Sequence, residues 1–375
     1  MDWWIALSVS VISLLITLIS GAVCLPLLKR FARERIVSDS KTLDELHAEK
    51  QNTPTMGGLF LAIAITCFFV TANLLNWQAG LSTRRTVLIL VTLWAFTLLG
   101  MIDDLQKIYR STKGLTPRQK WYAQWGLALL ISGLSLWLRP QEVPLTEVSD
   151  LQAIWLIIQF SWFSFVIVAT VNAVNLTDGL DGLASGTIAI TCLGLLAGLS
   201  LSNPEVCWGC FPSALSPTES ITIYTALVGC SVGFLFFNRF PAKVFMGDTG
   251  AMGLGSVIGL VSVFHGHEFL LALTGGVFVI ETLSVILQIR CNRWLGKKPL
   301  RCAPLHNHFV FAGMKETRIV MRFWGAALLF VGLGLAAVWF RNQLHERKPI
   351  SPSPTAALSQ PFQSPVEASP HEDAA

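Results

Sequence analysis

Residues 165–182 read FVIVATVNAVNLTDGLDG, an apolar run that ends in amides and carboxylates. Asn172, Asn175, Asp178 and Asp181 recur every three residues, so on a helix they would form one polar ridge. The residues before this ridge, from 151 onward, are long and apolar enough to cross a membrane. Acids at the end of a span are costly and mark a functional site. The stretch therefore predicts a membrane helix that delivers a polar active site to one membrane face.

The composition is that of a polytopic membrane protein. Hydrophobic residues make up 53% of the chain and charged residues 13%, with a mean hydropathy of +0.57, whereas a soluble domain carries about 25% charged residues. A span needs about 20 apolar residues. Ten stretches approach that length: 3–28, 51–83, 86–102, 121–138, 151–177, 182–204, 220–238, 249–267, 269–289 and 323–340. We therefore predict an all-α, polytopic integral membrane protein with about ten transmembrane helices.

The chain divides into one membrane domain and a tail. The membrane domain is predicted to span residues 1–345. Residues 346–375 are rich in Pro, Ser and Gln with few large apolar residues, which predicts a disordered tail. The sequence holds neither a Walker loop nor a dinucleotide fingerprint, and no nucleic-acid partner is expected.

Lysine and arginine predict the orientation. With the N-terminus outside, the inner loops are 29–50, 103–120, 173–182, 239–248 and 290–322, and they hold 21 of the 27 Lys and Arg residues. Such an excess is typical of cytoplasmic loops. We therefore predict both termini outside and the polar ridge at the cytoplasmic face.

Three further polar runs are predicted at this same face. They are Asp103-Asp104, Phe245-Met246-Gly247-Asp248 and Pro304-Leu305-His306-Asn307-His308. Mg²⁺ prefers oxygen ligands and commonly keeps substrate phosphates in its shell. The acidic pair, the ridge and Asp248 are three separated acidic sites that suit Mg²⁺, although Asp248, near a helix start, is also a plausible helix cap.

Basic and histidine side chains near these acids are candidate phosphate contacts. Lys50 and Thr55 open the second predicted helix, and helix N-termini bind anions; simple capping explains the threonine equally well. Lys107 and Lys120 flank the acidic pair, where anchoring by positive charge is the alternative. Glu281 stands alone inside a predicted span, either as a functional acid or as a buried structural hydrogen-bonding group.

Together these runs resemble the polyprenyl-phosphate N-acetylhexosamine-1-phosphate transferase superfamily, over about residues 20–340. The resemblance rests on Thr53–Gly58 (TPTMGG), Asp103-Asp104 with Lys107, Lys113–Leu115 (KGL), Asn172–Ala184 (NAVNLTDGLDGLA), Val244–Asp248 (VFMGD), Glu281–Gln288 (ETLSVILQ), Ala303–Phe309 (APLHNHF) and Arg322-Phe323-Trp324. NAVNLTDGLDGLA and ETLSVILQ favour the muramoyl-pentapeptide branch.

The resemblance implies a reaction and its partners. Such an enzyme moves phospho-MurNAc-pentapeptide from UDP-MurNAc-pentapeptide to undecaprenyl phosphate, giving lipid I and UMP, with Mg²⁺ as cofactor. It implies a site in the lipid bilayer of the bacterial cytoplasmic (inner) membrane and a role in peptidoglycan synthesis. A homodimer is left open.

The resemblance also implies residue roles. Asp248 would bind Mg²⁺, Asp103 and Asp104 would serve the lipid phosphate and the metal, and Asp178 would line the site. The catalytic group would thus comprise these four acids and His306. The implied substrate-binding residues, with Phe245 stacked on uracil, are Lys50, Thr55, Lys107, Lys120, Asn172, Asn175, Asp181, Asn238, Phe245 and His308.

Two positions depart from the family pattern. Asn307 stands where the family has the middle of three histidines, and Val310 stands where an acid follows the aromatic residue. The nearest alternative is a transferase that uses UDP-GlcNAc or a related sugar for another surface polymer. A proton- or ion-coupled transporter is disfavoured, because transporters typically carry inverted repeats and acids near the midplane.

Overall fold

The computed structural model describes residues 3–32, 50, 53–75, 82–110, 114–137, 150–202 and 215–346. Within them the chain is helical throughout, as predicted. The helices are α1 (Trp3–Phe31), α2 (Gly58–Leu74), α3 (Thr83–Arg110), α4 (Pro117–Trp137), α5 (Asp150–Thr177), α6 (Leu183–Leu201), α7 (Pro217–Asn238), α8 (Gly247–His265), α9 (Glu268–Thr274), α10 (Gly276–Leu295), α11 (Leu305–Phe311) and α12 (Glu316–Glu346). The predicted tail lies outside the described residues beyond 346.

Each of the ten predicted spans contains a helix. Seven of the described helices are long and apolar enough to cross a membrane, and α9 with α10 forms an eighth candidate that is bent by 82°. Among the described helices, α2 is shorter, at 17 residues, and α4 begins with the polar residues Arg118, Gln119 and Lys120. The chain is thus a polytopic membrane protein. Its described helices include seven or eight candidate spans, and α2 and α4 would bring the number to the predicted ten.

Two predicted helix ends are wrong. The sequence predicts that Asp103 and Asp104 end the third helix, but α3 continues to Arg110, so both acids lie within it. The polar residues of this end still form main-chain hydrogen bonds along the helix, so polarity alone does not stop it. The predicted ridge also divides: Asn172 and Asn175 lie on α5, whereas Asp178 and Asp181 lie in the turn after it. Gly182, with φ of +79°, completes that turn.

Helix α8 occupies the centre of the bundle and brings its first turn against α3. A Cβ atom at Gly100 of α3 would overlap the main chain of Asp248, and one at Gly58 of α2 would overlap the main chain of Gly250. Glycine lets the helix backbones approach this closely. The contact sets Asp248 beside the acidic pair of α3.

Candidate active site

Three carboxylates from two helices meet at one end of the bundle. Asp103 and Asp104 on α3 and Asp248 on α8 each offer an oxygen, and these oxygens lie within 4.8 Å of one another. Asp103 and Asp104 are buried, and Asp248 is partly exposed. The structure therefore brings together the three residues that the sequence predicted as metal ligands.

Two lysines neutralise much of this charge, and an amide donates a hydrogen bond to it. Lys107 Nζ lies 2.9 Å from Asp103 and 3.0 Å from Asp248. Lys120 Nζ lies 2.6 Å from Asp248, and Asn175 donates a hydrogen bond to the other oxygen of Asp248. Three carboxylates thus face two ammonium groups, which leaves the cluster one negative charge. An all-oxygen donor set with residual negative charge suits a hard divalent cation.

Asp104 also has a structural role. Its carboxylate accepts hydrogen bonds from the main-chain N–H of Asp248 at 3.2 Å, and from the main-chain N–H and hydroxyl of Thr249 at 3.0 and 2.6 Å. An acid at a helix N-terminus satisfies free N–H groups and the helix dipole. Asp104 therefore caps α8 from a neighbouring helix, and one change at this residue would disturb both the cap and the carboxylate cluster.

Two cavities flank this cluster. The first has a volume of about 220 Å³ and the second about 400 Å³. The first is lined by Lys50, Thr55, Asp104, Lys107, Asp178, Gly179, Leu180, Asp181, Asn238, Phe245, Gly247 and Asp248. The second is lined by Asp103, Lys107, Leu115, Pro117, Lys120, Trp121, Gln124, Asn172, Asn175 and Asp248. Lys107 and Asp248 line both, so they stand between the two cavities.

Asp178 lines the first cavity and has a raised pKa. Burial, together with the negative charges of Asp248 and Asp104, raises the pKa of Asp178 to about 8, although a hydrogen bond from the Gly247 main chain acts to lower it. At neutral pH this carboxyl group therefore carries a proton as long as the neighbouring carboxylates lack another cation.

Lys50 is paired with carboxylates in the first cavity. Its Nζ lies 2.7 Å from Asp181 and 2.6 Å from Glu316, and 6.0 Å from the centre of the Phe245 ring. Asp181 also accepts a hydrogen bond from the main-chain N–H of Ala242 at 2.9 Å. This network joins α12, the turn after α5 and the segment before α8 at one wall of the cavity.

Asn238 supports the same wall from inside. Its side-chain oxygen accepts hydrogen bonds from the Gly182 main chain at 3.1 Å and the Ser185 hydroxyl at 3.0 Å, while its Nδ2 donates to the Val244 carbonyl at 3.0 Å. The amide thus ties the loop after α5 to the segment that carries Phe245.

The two predicted histidines line neither cavity. His306 is buried behind the loop of the first cavity, where a Cβ atom at Gly179 would overlap its Nε2. Its main-chain N–H and its Nδ1 lie 3.1 and 3.2 Å from Glu281. His308 accepts a hydrogen bond from the Arg301 main chain at 3.1 Å through Nδ1. In this structure both histidines support loops and neither lines either of the two cavities described.

Sequence reasoning missed several lining or supporting residues. They are Leu115, Trp121, Gln124 and Glu316. An amide inside the apolar part of α4, after Lys120, is a usable signal for Gln124, whereas Glu316 precedes an ordinary apolar span and carries no such signal.

The comparisons with known proteins agree with this geometry. The family model described as glycosyl transferase family 4 matches residues 86–266, which contain both acidic sites and the polar ridge. The phospho-N-acetylmuramoyl-pentapeptide-transferase of Geobacillus kaustophilus (strain HTA426) is 39% identical over 337 residues, covering 88% of this chain and 96% of that protein. At this identity and coverage the chain belongs to glycosyl transferase family 4, among the phospho-N-acetylmuramoyl-pentapeptide transferases.

Proposed function

We infer that this chain is a transferase that moves phospho-MurNAc-pentapeptide from UDP-MurNAc-pentapeptide to undecaprenyl phosphate, forming lipid I and releasing UMP. The similarity to the Geobacillus phospho-N-acetylmuramoyl-pentapeptide-transferase supports the reaction class. The observation that carries the mechanism is the position of Lys107 and Asp248, which line two cavities at once. A site for two phosphorylated substrates needs such a shared wall.

The chemistry is a phosphoryl transfer between two anions. An oxygen of the lipid phosphate attacks the sugar-bearing phosphorus, and the bond from that phosphorus to the bridging oxygen breaks as UMP leaves. In such reactions the protein mainly positions the groups and neutralises their charge. Lys107, between the cavities, and Lys120, in the second cavity, both contact Asp248 and supply positive charge where the two phosphates would meet.

Mg²⁺ is the proposed cofactor, held by Asp103, Asp104 and Asp248. Their clustered oxygens form the donor set that Mg²⁺ prefers. When bound, the ion would withdraw charge from the pyrophosphate and so favour departure of UMP.

A general base has little to contribute here. A phosphate monoester has a second pKa of about 6, so the lipid phosphate is already largely dianionic at neutral pH. Asp103, which accepts a hydrogen bond from the Leu115 main chain at 2.7 Å, is therefore assigned an orienting and metal-binding role. The hydrogen bond fixes the segment that enters α4 beside the second cavity.

The nucleotide is proposed to occupy the first cavity. Phe245 is half-buried there beside Lys50, an arrangement suited to stacking a uracil ring under a cation. Asp181 and Glu316 compete with phosphate for Lys50, so this lysine would exchange one anionic partner for another when the nucleotide binds.

The site is proposed to face the cytoplasm of a bacterium, with both termini outside. The concentration of Lys and Arg in the predicted inner loops supports this orientation. Nucleotide sugars are cytoplasmic, which agrees with a cytoplasmic opening. Cysteine accessibility of Arg301→Cys on the proposed inner side and Arg85→Cys on the proposed outer side would test it in intact cells.

The decisive assay is UMP release by the purified chain. The reaction contains undecaprenyl phosphate and either UDP-MurNAc-pentapeptide or UDP-GlcNAc, with and without Mg²⁺. We expect release with the muramoyl donor only, and only with Mg²⁺. Release with UDP-GlcNAc but not with the muramoyl donor would assign the chain to the alternative transferase that uses UDP-GlcNAc. Full activity in the presence of a chelator would overturn the metal assignment.

A further inference from the structure

Gln124 lines the second cavity with a buried amide whose NH₂ group is not hydrogen-bonded within the described residues. This residue of α4 is 1% exposed and lines the cavity together with Lys120 and Trp121. Its Nε2 makes no hydrogen bond within the described part of the chain. A buried donor without an acceptor is unfavourable and is retained where a ligand or water satisfies it.

The orientation of this amide is fixed by Asn172. Asn172 Nδ2 donates to the Val168 carbonyl at 2.8 Å and to Gln124 Oε1 at 2.7 Å. The Val168 carbonyl can only accept, so Asn172 must direct its NH₂ group toward it and cannot be turned over. Gln124 must then direct its carbonyl oxygen at Asn172, which leaves its own NH₂ group for the cavity.

The surroundings of this donor favour a phosphate that reaches the cavity from the membrane. Lys107 and Lys120 line the cavity beside Asp103 and Asp248 and bring positive charge to it. Trp121 is 50% exposed, and Leu129, about two turns further along the same side of α4, is 39% exposed, so this side of α4 is apolar and open. A phosphate at the head of an apolar chain matches this combination, and a fully ionised phosphate offers only acceptors.

We propose that Gln124 binds the phosphate of the lipid acceptor through its Nε2, with Asn172 as the residue that orients it. This proposal rests on the proposed function, since it deepens the account of the second substrate. The cavity shares Asp248 and Lys107 with the first cavity, so a phosphate held by Gln124 lies on the side opposite the nucleotide.

The test compares three variants in two measurements. Gln124→Met removes the donor at similar size, Gln124→Glu replaces it by a carboxylate, and Gln119→Met makes the same change at an exposed position of the same helix. Loss of a hydrogen bond to a charged group predicts a rise of about tenfold in the KM for undecaprenyl phosphate in Gln124→Met. In Gln124→Glu the KM for undecaprenyl phosphate is expected to rise further, because the carboxylate repels the phosphate. The KM for the nucleotide is expected to stay within about twofold of the parent value in both variants. Gln119→Met is expected to stay within about twofold of the parent protein for both substrates.

Direct binding separates this proposal from the proposed function. The second measurement is the Kd of a short-chain, detergent-soluble polyprenyl phosphate without nucleotide, with the corresponding polyprenol as control. One outcome is that the parent protein releases no UMP, while Gln124→Met binds the polyprenyl phosphate more weakly than the parent does. In that case the proposed function fails and the Gln124 assignment stands. An unchanged Kd and lipid KM in Gln124→Met, or equal losses for lipid and nucleotide, would overturn it.

A coupling experiment tests the orienting role of Asn172. Asn172→Leu is expected to raise the lipid KM, and the double variant Gln124→Met with Asn172→Leu is expected to be no worse than the more severe single variant, because both act on one donor. Fully additive effects would show that Asn172 acts independently of Gln124. Thermal unfolding of every variant excludes general loss of the fold.

Discussion

Glu281 holds His306 at two points. One oxygen of the buried carboxylate lies 3.1 Å from the main-chain nitrogen of His306 and 3.2 Å from its Nδ1. With the proton on Nδ1, the ring is fixed and its Nε2 is directed at Gly179, behind the loop of the first cavity. The lone intramembrane acid thus finds its partner on α11, and it acts through the histidine on the loop that carries Asp178.

Removal of His306 should therefore be costly. We expect His306→Ala to lower the transfer rate by at least about tenfold, or about 1.4 kcal/mol in barrier, because the loop at Gly179 loses its support. Asn307→Ala should lower it less, and Asn307→His should be tolerated, since an amide at that position donates hydrogen bonds but carries no proton near neutral pH. The rates of all three variants are compared in one UMP-release assay. A larger loss of rate in Asn307→Ala than in His306→Ala would contradict the prediction.

The same relationship predicts coupling between Glu281 and His306. Glu281→Ala and His306→Ala should each impair turnover, and the double variant should be no worse than the more severe of the two. Steady-state rates of the four proteins give the coupling energy. Additive losses would mean that the carboxylate serves some other group.

Asp248→Asn should abolish turnover while the protein remains folded. The amide keeps the shape of the side chain but removes the negative charge that Lys120 and a cation require. Transfer activity across a Mg²⁺ titration and thermal unfolding are the two measurements. Near-parent activity at limiting Mg²⁺ would remove Asp248 from the metal site.

Mg²⁺ binding should release a proton from Asp178. The pKa of this carboxyl is raised to about 8, above its ordinary value, so below that pH the metal-free protein holds the proton. A cation beside Asp104 and Asp248 favours the ionised form, so Mg²⁺ affinity should increase as the pH rises from about 6 to 8. Calorimetry in buffers of different ionisation enthalpy measures the proton directly. Asp178→Asn should show no such release, and an unaltered proton count in that variant would assign it to another group.

Phe245→Ala should weaken nucleotide binding more than lipid binding. Loss of one aromatic stack costs about 1–3 kcal/mol per base, and Phe245 lines the first cavity but not the second. Phe236→Ala is the matched control, because that ring is 49% exposed and lines neither cavity. The Kd of the UDP-sugar and the KM of the lipid are compared. Equal changes in both would indicate that Phe245 only packs against its neighbours.

Features that depend on residues close together in the sequence could be predicted, whereas contacts between residues far apart in the sequence could not. Apolar length predicts spans, and spacing placed Asn172 and Asn175 on one helix face. The period of three continues through the turn that carries Asp178 and Asp181 and therefore predicts helix there, whereas α5 ends at Thr177 and Gly182, with its positive φ, completes the turn. Local signals therefore gave the elements but not their last turns.

Contacts between distant elements were beyond such reasoning. The pairing of Lys50 with Glu316 joins residues 266 positions apart, and neither residue's neighbours in sequence predict the other. The resemblance placed Lys50 at the phosphates, yet the structure first pairs it with acids. The family pattern predicts which charged residues belong to the site. Which of these residues form ion pairs with one another depends on how the helices pack.

The shared wall of the two cavities couples the binding of the two substrates. Because Lys107 faces both, an anion on one side draws on the same positive charge as an anion on the other, and the affinity of each substrate depends on whether its partner is bound. Thermodynamic linkage makes that dependence equal in both directions. A dissociation constant measured for either substrate alone therefore differs from the one that operates in the ternary complex, and inhibitors of the two sides would not act independently.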